Sequence, residues 1–409
     1  MPKKDLSNKK PAQKPQKLRD IKRVVRRMYH VLDQSVGRGA NYVDTPTWLG
    51  CQEMERIEDV RSFPYFAHPL TENSIGVMQV PVGAAEHFVV NGRESHVPMA
   101  TLECGVVAGA SYAAKLCKPY GGFTAKVYEN VVTAQIRYDY MPSNEIARSF
   151  ADRINADSAE VIRIAMTSAD PVFATMRNRG GGLIGYVAHV ERNECAVIVN
   201  VTINALEAMG ANLATRMAEA IDILIGASLN RGKATAVIVT NADQGPLVHV
   251  VAHWRMEDIG RRVAMSIERL CEWAAADPTR ATTHNKGLLN GLLAAALAAG
   301  QDVPAIAAAA AFQMTGGKTD VQPLTTFTRK KGMIVGELSM RIPLGTVGGG
   351  TRHRASYVCR RIMCGEDKDV TVKNLAAVIG SAALASNFAS LRMLADEGVL
   401  AALDRLRKK

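Results

Sequence analysis

The sequence is poor in the side chains that nucleic-acid and zinc sites need. Aromatic residues make up 5% of its 409 residues, and they do not alternate with basic residues as base-stacking surfaces require. The seven cysteines stand singly, and the nearest pair, Cys359 and Cys364, lacks the Cys-x-x-Cys spacing of a zinc site. The composition therefore argues against nucleic-acid binding and against a metal centre.

A long hydrophobic run and a secretory leader are also missing. The most apolar region, residues 287–312, is interrupted by Gln301, Asp302 and Pro304, which predicts buried helices rather than a membrane span. The chain starts with charged residues, and its number of cysteines is odd. These features predict a cytoplasmic protein with reduced thiols.

The net charge of +11 is local. Residues 1–27 carry eleven Lys and Arg against two Asp, so the rest of the chain has a net charge of only +2. Residues 1–18 are rich in Lys, Pro and Gln, which predicts a disordered basic tail. Such a tail can attract the phosphates of a ligand, an acidic partner or an anionic membrane, or it can simply be solvated.

The middle of the chain has the clearest pattern. Residues 124–241 show the order β-α-β-β-α-β, the split βαβ arrangement of ferredoxin-like domains. No Gly-x-Gly-x-x-Gly links the first strand to its helix, which excludes a Rossmann unit. We therefore predict an α+β fold in which this small domain is inserted into a larger, mostly helical domain formed by residues 19–123 and 242–409.

A cluster of cations lies beside the apolar helices, in the segment ADPTRATTHNKGLLNG at residues 276–291. Asp277 and Pro278 are typical of a helix N-cap and first helical residue. Arg280, His284 and Lys286 follow within seven residues. They indicate either a solvated helix start or a site for an anion.

Six segments of the chain resemble the hydroxymethylglutaryl-CoA reductase family, in particular its soluble bacterial class. They occur in the family's order between about residues 72 and 400: ENSIG, VPMATLECGVVAGASYAAKL, EAMGANLATRMAEA, DPTRATTHNKGLLNG, AAGQD and GTVGGGTR. The resemblance implies reduction of a CoA thioester to an alcohol by two hydrides from a nicotinamide cofactor. It also implies a homodimer or higher assembly with active sites at subunit interfaces.

The resemblance implies three catalytic residues. Lys286 matches the lysine that stabilises the oxyanion, and Glu103 matches the proton donor. Asp302 matches an aspartate that orders the pair. Taken alone, Glu103 is more typical of a charge at a helix N-terminus than of a proton donor, and Asp302 is as typical of a helix cap as of a catalytic residue.

Four further residues, all in the segment 276–291 that contains Lys286, are candidates for substrate binding. Arg280 matches a residue that binds the carboxylate of the acyl group, and Asn290 one that supports the catalytic network. His284 and Asn285 lie between them. His284 taken alone is equally typical of a loop histidine whose hydrogen bonds are satisfied.

The cofactor is expected on the inserted domain. The triple glycine at residues 180–182 would let the backbone approach a pyrophosphate, although a flexible turn before a strand is the alternative. NAD-using relatives place an Asp where this chain has Gly185, which favours NADPH, with NADH as second choice. The predicted cofactor-binding residues are Gly180, Gly181, Gly182, Glu207, Met209, Gly210, Asn212, Arg177 and Arg179.

One feature of the family is missing from the sequence. No histidine follows His353, and Arg407 stands where the family has a C-terminal catalytic histidine. Three hypotheses remain: a full reductase with a substitute group, a relative that performs a partial reaction or uses a related thioester or aldehyde, and a non-catalytic acyl-CoA-binding protein. The retained Glu103, Lys286 and Asp302 argue against the non-catalytic protein. The resemblance implies that the product is mevalonate, an intermediate of isoprenoid biosynthesis.

Overall fold

The computed structural model describes residues 79–191, 195–229, 232–242, 244–317, 319–396 and 398. The predicted basic tail, the segment ENSIG and Arg407 lie outside these residues. From Val80 onward the described residues belong to one compact unit.

Within the described ranges, nine strands form one mixed sheet. Six of them follow the order β2-β1-β3-β7-β9-β8, and β3 also pairs with β5 and β6, while β4 pairs with β5. The 16-residue strand β3 therefore joins the two parts of the sheet. The strands are β1 Val82–Val90, β2 Arg93–Ala100, β3 Phe123–Tyr138, β4 Gly182–Val190, β5 Val197–Asn204, β6 Ala236–Val239, β7 Gly245–Arg255, β8 Thr325–Lys330 and β9 Met333–Arg341.

The described α-helices lie between and after these strands, in part several in succession. They are α1 Val106–Cys117, α2 Asn144–Ala156, α3 Ser158–Thr167, α4 Pro171–Asn178, α5 Ala211–Leu229, α6 Met256–Ile259, α7 Arg261–Ala276, α8 Pro278–Ala298, α9 Val303–Thr315, α10 Arg354–Cys364 and α11 Val372–Asp396. The α+β prediction is confirmed.

The inserted segment has the predicted ferredoxin-like arrangement. Its strands lie in the order β4-β5-β3-β6, and all three pairings are antiparallel, as the split βαβ topology requires. The sequence predicted one helix before β4, but the structure has three. Asp157 ends α2, and Asp170 caps a new helix at Pro171 by accepting a hydrogen bond from the N–H of Val172 at 2.9 Å.

Two hydrophobic clusters lie along β3. One contains Trp254, which stacks on Phe388 with ring centroids 4.0 Å apart. The other fills the space between the inserted helices and strands, where the rings of Tyr138 and Phe150 meet edge to face at 5.3 Å.

One described helix, α11, is long and apolar enough to cross a membrane by length and composition alone. In the structure 83% of its apolar window is buried, and it packs against β7 and α8. We therefore describe it as the central core helix.

Candidate active site

A lysine and a glutamate that are 183 positions apart meet at the end of β2. The Lys286 ammonium donates a hydrogen bond to Glu103 Oε1 at 2.5 Å. Glu103 lies in the tight turn between β2 and α1, where its N–H donates to Thr101 Oγ1 at 3.0 Å and Gly105 adopts a positive φ of 88°. Lys286 lies on the middle of α8.

The pair borders a cavity of about 200 Å³. The amide of Asn290, one helical turn beyond Lys286, has no hydrogen-bond partner among the described residues and borders the same cavity. A larger groove of about 470 Å³ lies on the other side of the turn 103–105, which forms a wall of both spaces. The small cavity is lined by residues 103–106, 109, 286, 290, 386, 389, 390 and 393.

Close packing of α8 on α11 fixes the back of this cavity. A methyl group at Gly291 would lie 2.5 Å from Ser386 Cβ, so the two helices approach as near as glycine allows. Ser386 Oγ donates to the carbonyl of Gly287 at 2.9 Å, and Asn387 Nδ2 donates to the carbonyl of His284 at 2.6 Å. The position of Lys286 is thus set by a rigid helix pair.

Asp302 does not join the Glu103–Lys286 pair within one chain. Its side chain is exposed, and it caps α9 by accepting a hydrogen bond from the N–H of Ala305 at 3.0 Å. It does not line the small cavity. The catalytic role of Asp302 stays a prediction.

His284 and Asn285 are buried and hold the segment that leads into β8. Asn285 Nδ2 donates to the carbonyl of Gln322 at 2.8 Å, and its Oδ1 accepts from the N–H of Leu324 at 2.9 Å. His284 Nε2 lies 2.6 Å from Thr325 Oγ1. These contacts give both residues a structural task, and their contact with substrate stays a prediction.

The protonation of His284 follows from its neighbours. The Thr325 hydroxyl donates its hydrogen to Asn387 Oδ1 at 2.6 Å, so His284 Nε2 must donate to Thr325. The Nδ1 atom is then an acceptor, and it is buried without a partner. Burial, with a smaller contribution from Arg280, lowers the pKa of His284 to about 4, which keeps the ring neutral at pH 7.

Arg280 is a buried cation without a carboxylate partner in the described part of the chain. Its relative exposure is 8%, and burial lowers the pKa of its guanidinium. The guanidinium lies 5.7 Å from the centre of the Trp273 ring, and its Nε has no hydrogen-bond partner. A buried, unpaired charge is costly unless something compensates it, so this site suits an anion.

The triple glycine, residues 180–182, ends helix α4. The N–H of Gly181 donates to the carbonyl of Met176 and that of Gly180 to the carbonyl of Arg177, each at 3.0 Å. With Gly180 at φ 82°, these bonds form a Schellman motif that ends α4. Both N–H groups are used in this cap, and Gly182 begins β4. The role of the three glycines in cofactor binding stays a prediction.

The two neighbouring arginines differ in their availability. The Arg177 guanidinium donates to the carbonyls of Met166 at 2.5 Å and Ser168 at 3.4 Å, at the end of α3. Arg179 is exposed and has no hydrogen bond or ion pair in the described residues. Of the two, Arg179 is the one free to meet a phosphate.

The loop EAMGAN connects β5 to α5. Gly210 has a φ of 98°, and a methyl group there would lie 2.7 Å from Ala205 Cβ, so glycine is required. Met209 is half-buried, and Asn212 is exposed on the first turn of α5. The Glu207 carboxylate accepts hydrogen bonds from Thr346 Oγ1 at 2.7 Å and from the N–H of Val372 at 2.8 Å.

Two buried polar residues that the sequence did not single out hold these loops. Asn130 on β3 donates to the carbonyls of Leu206 at 2.8 Å and Ala208 at 2.7 Å. Arg360 on α10 donates to the carbonyls of Ala299 at 2.9 Å and Thr351 at 2.7 Å. These bonds join the segment before Asp302 to the glycine-rich loop, the segment GTVGGGTR at residues 345–352. The available signal was a polar residue at an inward position of an otherwise apolar pattern.

Comparison with known proteins identifies the chain as an oxidoreductase. The family model described as hydroxymethylglutaryl-coenzyme A reductase matches residues 47–407. The chain therefore belongs to the hydroxymethylglutaryl-CoA reductase family, whose members are NADPH-dependent oxidoreductases.

Individual relatives agree with this assignment. The chain is 32% identical over 338 residues to the 3-hydroxy-3-methylglutaryl-coenzyme A reductase of Archaeoglobus fulgidus, covering 81% of this chain and 74% of that protein. It is 28% identical over 349 residues to a probable reductase of Borreliella burgdorferi, with 82% and 75% covered. The structure of the Streptococcus pneumoniae class II reductase bound to NADPH in open conformations has a TM-score of 0.74 and 30% identity, with 84% of each chain covered.

Proposed function

We propose that this protein reduces hydroxymethylglutaryl-CoA, or a closely related acyl thioester or aldehyde, with NADPH, and that mevalonate is the product. NADH is the second choice of cofactor. The observation that carries the proposal is the Lys286–Glu103 hydrogen bond of 2.5 Å at the edge of a cavity. The family membership and the NADPH-bound relative support the choice of reaction and cofactor.

The pair suits carbonyl reduction. Bound NADPH would supply one hydride in each of two successive reductions, from thioester to aldehyde with release of CoA as its thiol and then from aldehyde to alcohol. The ammonium of Lys286 binds the carbonyl oxygen and stabilises the negative charge that develops there, and the carboxyl group of Glu103 delivers the proton to that oxygen. Both side chains are more than half exposed, so their ion pair adds little to stability, and a chemical use is the better explanation for the contact.

The two cavities suit a substrate with a long carrier arm. The small cavity of about 200 Å³ is below the usual range for a ligand pocket, about 300–1,000 Å³. The groove of about 470 Å³ beyond Glu103 supplies the missing space. We place the acyl group beside Lys286 and Asn290, the CoA arm in the groove, and the acyl carboxylate against the buried Arg280.

The cofactor fits the inserted segment, residues 124–241. A side chain at Gly181 would touch Leu206 at 2.6 Å, so the turn that follows Arg179 packs against the start of the loop between β5 and α5. The exposed guanidinium and the positive N-terminal end of the 19-residue helix α5 suit the cofactor's phosphates. The separate hydrophobic clusters support two domains, with the thioester bound by residues 19–123 and 242–409.

The catalytic set is completed by a second copy of the chain in our proposal. Within one chain Asp302 is exposed and does not line the cavity beside the Glu103–Lys286 pair. Leu102, beside Glu103, is 74% exposed, and Leu297, near Asp302, is 45% exposed, so both parts present apolar surface that a dimer would cover. We propose a soluble, cytoplasmic homodimer or higher assembly.

Mixing two inactive variants tests the shared site. Lys286→Ala and Asp302→Ala homodimers are each expected to be inactive. After subunit exchange, about a quarter of the wild-type activity should return, because half of the dimers then carry one intact site. If the mixture stays inactive although exchange is confirmed by tagged subunits, Asp302 acts within its own chain or not at all.

The reaction itself is tested by following NADPH absorbance. Hydroxymethylglutaryl-CoA, mevaldehyde, and mevalonate with CoA should be assayed separately with NADPH or NADP⁺, and with NADH or NAD⁺. Oxidation of NADPH by hydroxymethylglutaryl-CoA supports the full reduction, and activity with mevaldehyde alone identifies a partial reaction. Tight CoA binding without turnover in any combination would instead identify an acyl-CoA-binding protein.

A further inference from the structure

The carboxylate of Glu207 bridges the loop EAMGAN and the N-terminus of the core helix α11. Its Oε2 atom accepts hydrogen bonds from Thr346 Oγ1 at 2.7 Å and from the N–H of Val372 at 2.8 Å. Val372 is the first residue of α11, where N–H groups have no partner within the helix. The family resemblance predicted cofactor contact for Glu207, but in the structure its charge faces the positive end of a 25-residue helix.

The loop is held firmly on two sides. From β3, Asn130 donates to two of its carbonyls, and the N–H of Ala205 donates back to the carbonyl of Asn130 at 2.9 Å. From the glycine-rich loop, the N–H of Thr346 donates to the carbonyl of Glu207 at 2.8 Å. Ala208 forms a parallel bridge with Val347. A movement of this loop must therefore move its neighbours too.

The other end of α11 lines the catalytic cavity. Ser386, Ala389, Ser390 and Met393 form one of its walls, opposite Glu103. The helix is buried over most of its length and is locked to α8 by the close contact at Gly291. Because such a helix shifts as a unit, a displacement at Val372 reaches the cavity.

We infer that Glu207 is a positioning residue that couples dinucleotide binding at residues 205–210 to the thioester cavity through α11. The inference rests on the proposed function, because it takes this loop to be the cofactor site. A ligand that changes the loop alters the hydrogen bond to Val372 and thereby the wall formed by α11. Linkage then requires that a ligand in the cavity change the cofactor affinity by the same factor.

The test measures the binding of NADPH and CoA, a pair that does not react. The dissociation constant of NADPH is determined by fluorescence without and with saturating CoA. In the wild-type protein we expect the ratio of the two NADPH dissociation constants, with and without CoA, to differ from one by about fivefold or more. In Glu207→Ala the ratio should fall to about one, while each ligand alone binds within about threefold of its wild-type affinity.

Two variants separate coupling from folding and from surface charge. Thr346→Val removes one hydrogen bond to Glu207 and should reduce the ratio without removing the carboxylate, which keeps the test available if Glu207→Ala does not fold. Glu219→Ala removes an exposed carboxylate from α5 and should leave the ratio unchanged.

Each other outcome overturns the inference. A loss of NADPH affinity of tenfold or more in Glu207→Ala without CoA would make Glu207 a direct cofactor ligand. A ratio that stays at the wild-type value in Glu207→Ala, or a wild-type ratio of one, would exclude the coupling. Wild-type protein that binds neither ligand would refute the proposed function itself, a result distinct from the loss of coupling alone.

Discussion

Replacing Lys286 by alanine should separate stability from catalysis. The Lys286 and Glu103 side chains are 59% and 54% exposed, and an ion pair in such a setting contributes about 0–1 kcal/mol to the free energy of unfolding. Loss of a group that stabilises an oxyanion costs about 10²–10³-fold in kcat. We therefore expect a folded variant with nearly unchanged thermal unfolding and a kcat for NADPH oxidation reduced by at least about 100-fold.

A second exposed ion pair provides a matched control. Lys118 forms an ion pair with Glu94 at 2.6 Å, with side-chain exposures of 42% and 75%. Lys118→Ala removes the same kind of contact away from the cavity, so it should change stability as little as Lys286→Ala does and leave kcat intact. The assay is NADPH absorbance with hydroxymethylglutaryl-CoA, beside thermal unfolding followed by circular dichroism. Activity of Lys286→Ala within tenfold of wild type would refute the reasoning.

Three further outcomes are expected. His284 has a pKa of about 4 when folded and 6.5 as its ordinary value. Between these two pH values the unfolded chain binds the extra proton, so the free energy of unfolding falls as the pH drops from 6.5 towards 4, by at most about 3 kcal/mol. Urea titrations of His284→Gln should lack this dependence on pH. Gly291→Ala puts a methyl group 2.5 Å from Ser386 Cβ and should cost about 1–3 kcal/mol of unfolding free energy, whereas an unchanged denaturation midpoint would contradict the packing. Arg179→Ala should raise KM for NADPH more than KM for NADH, and equal changes would exclude contact with the 2′-phosphate.

The inserted domain could be predicted because its strands are half-buried. Strand β3 alternates buried and partly exposed residues from Asn130 onward, and this period of two is visible in the sequence. Strand β7 was missed because we expected a mostly helical domain for residues 242–409. Its 11 residues, paired between β3 and β9, alternate buried and partly exposed positions as β3 does, so the same period of two was available in the sequence.

The candidate site could be predicted only in part. Spacing along the chain says nothing about two residues 183 positions apart, so the meeting of Glu103 and Lys286 was expected from the resemblance alone. The triple glycine could not be assigned from the sequence because a helix C-cap and a phosphate loop need the same residue type. The structure shows the C-cap, in which the Schellman motif uses the N–H groups of Gly180 and Gly181. Asp302 shows a further limit: in our proposal it acts across two copies of the chain, and the sequence of one chain does not show such a contact.

The most direct test of the account is a structure of the protein with hydroxymethylglutaryl-CoA and NADP⁺ bound. We expect the thioester carbonyl oxygen to lie within hydrogen-bond distance of both Lys286 Nζ and the Glu103 carboxyl group, with the CoA arm in the groove beside residues 103–105. A thioester bound elsewhere, with Lys286 still paired only to Glu103, would contradict it.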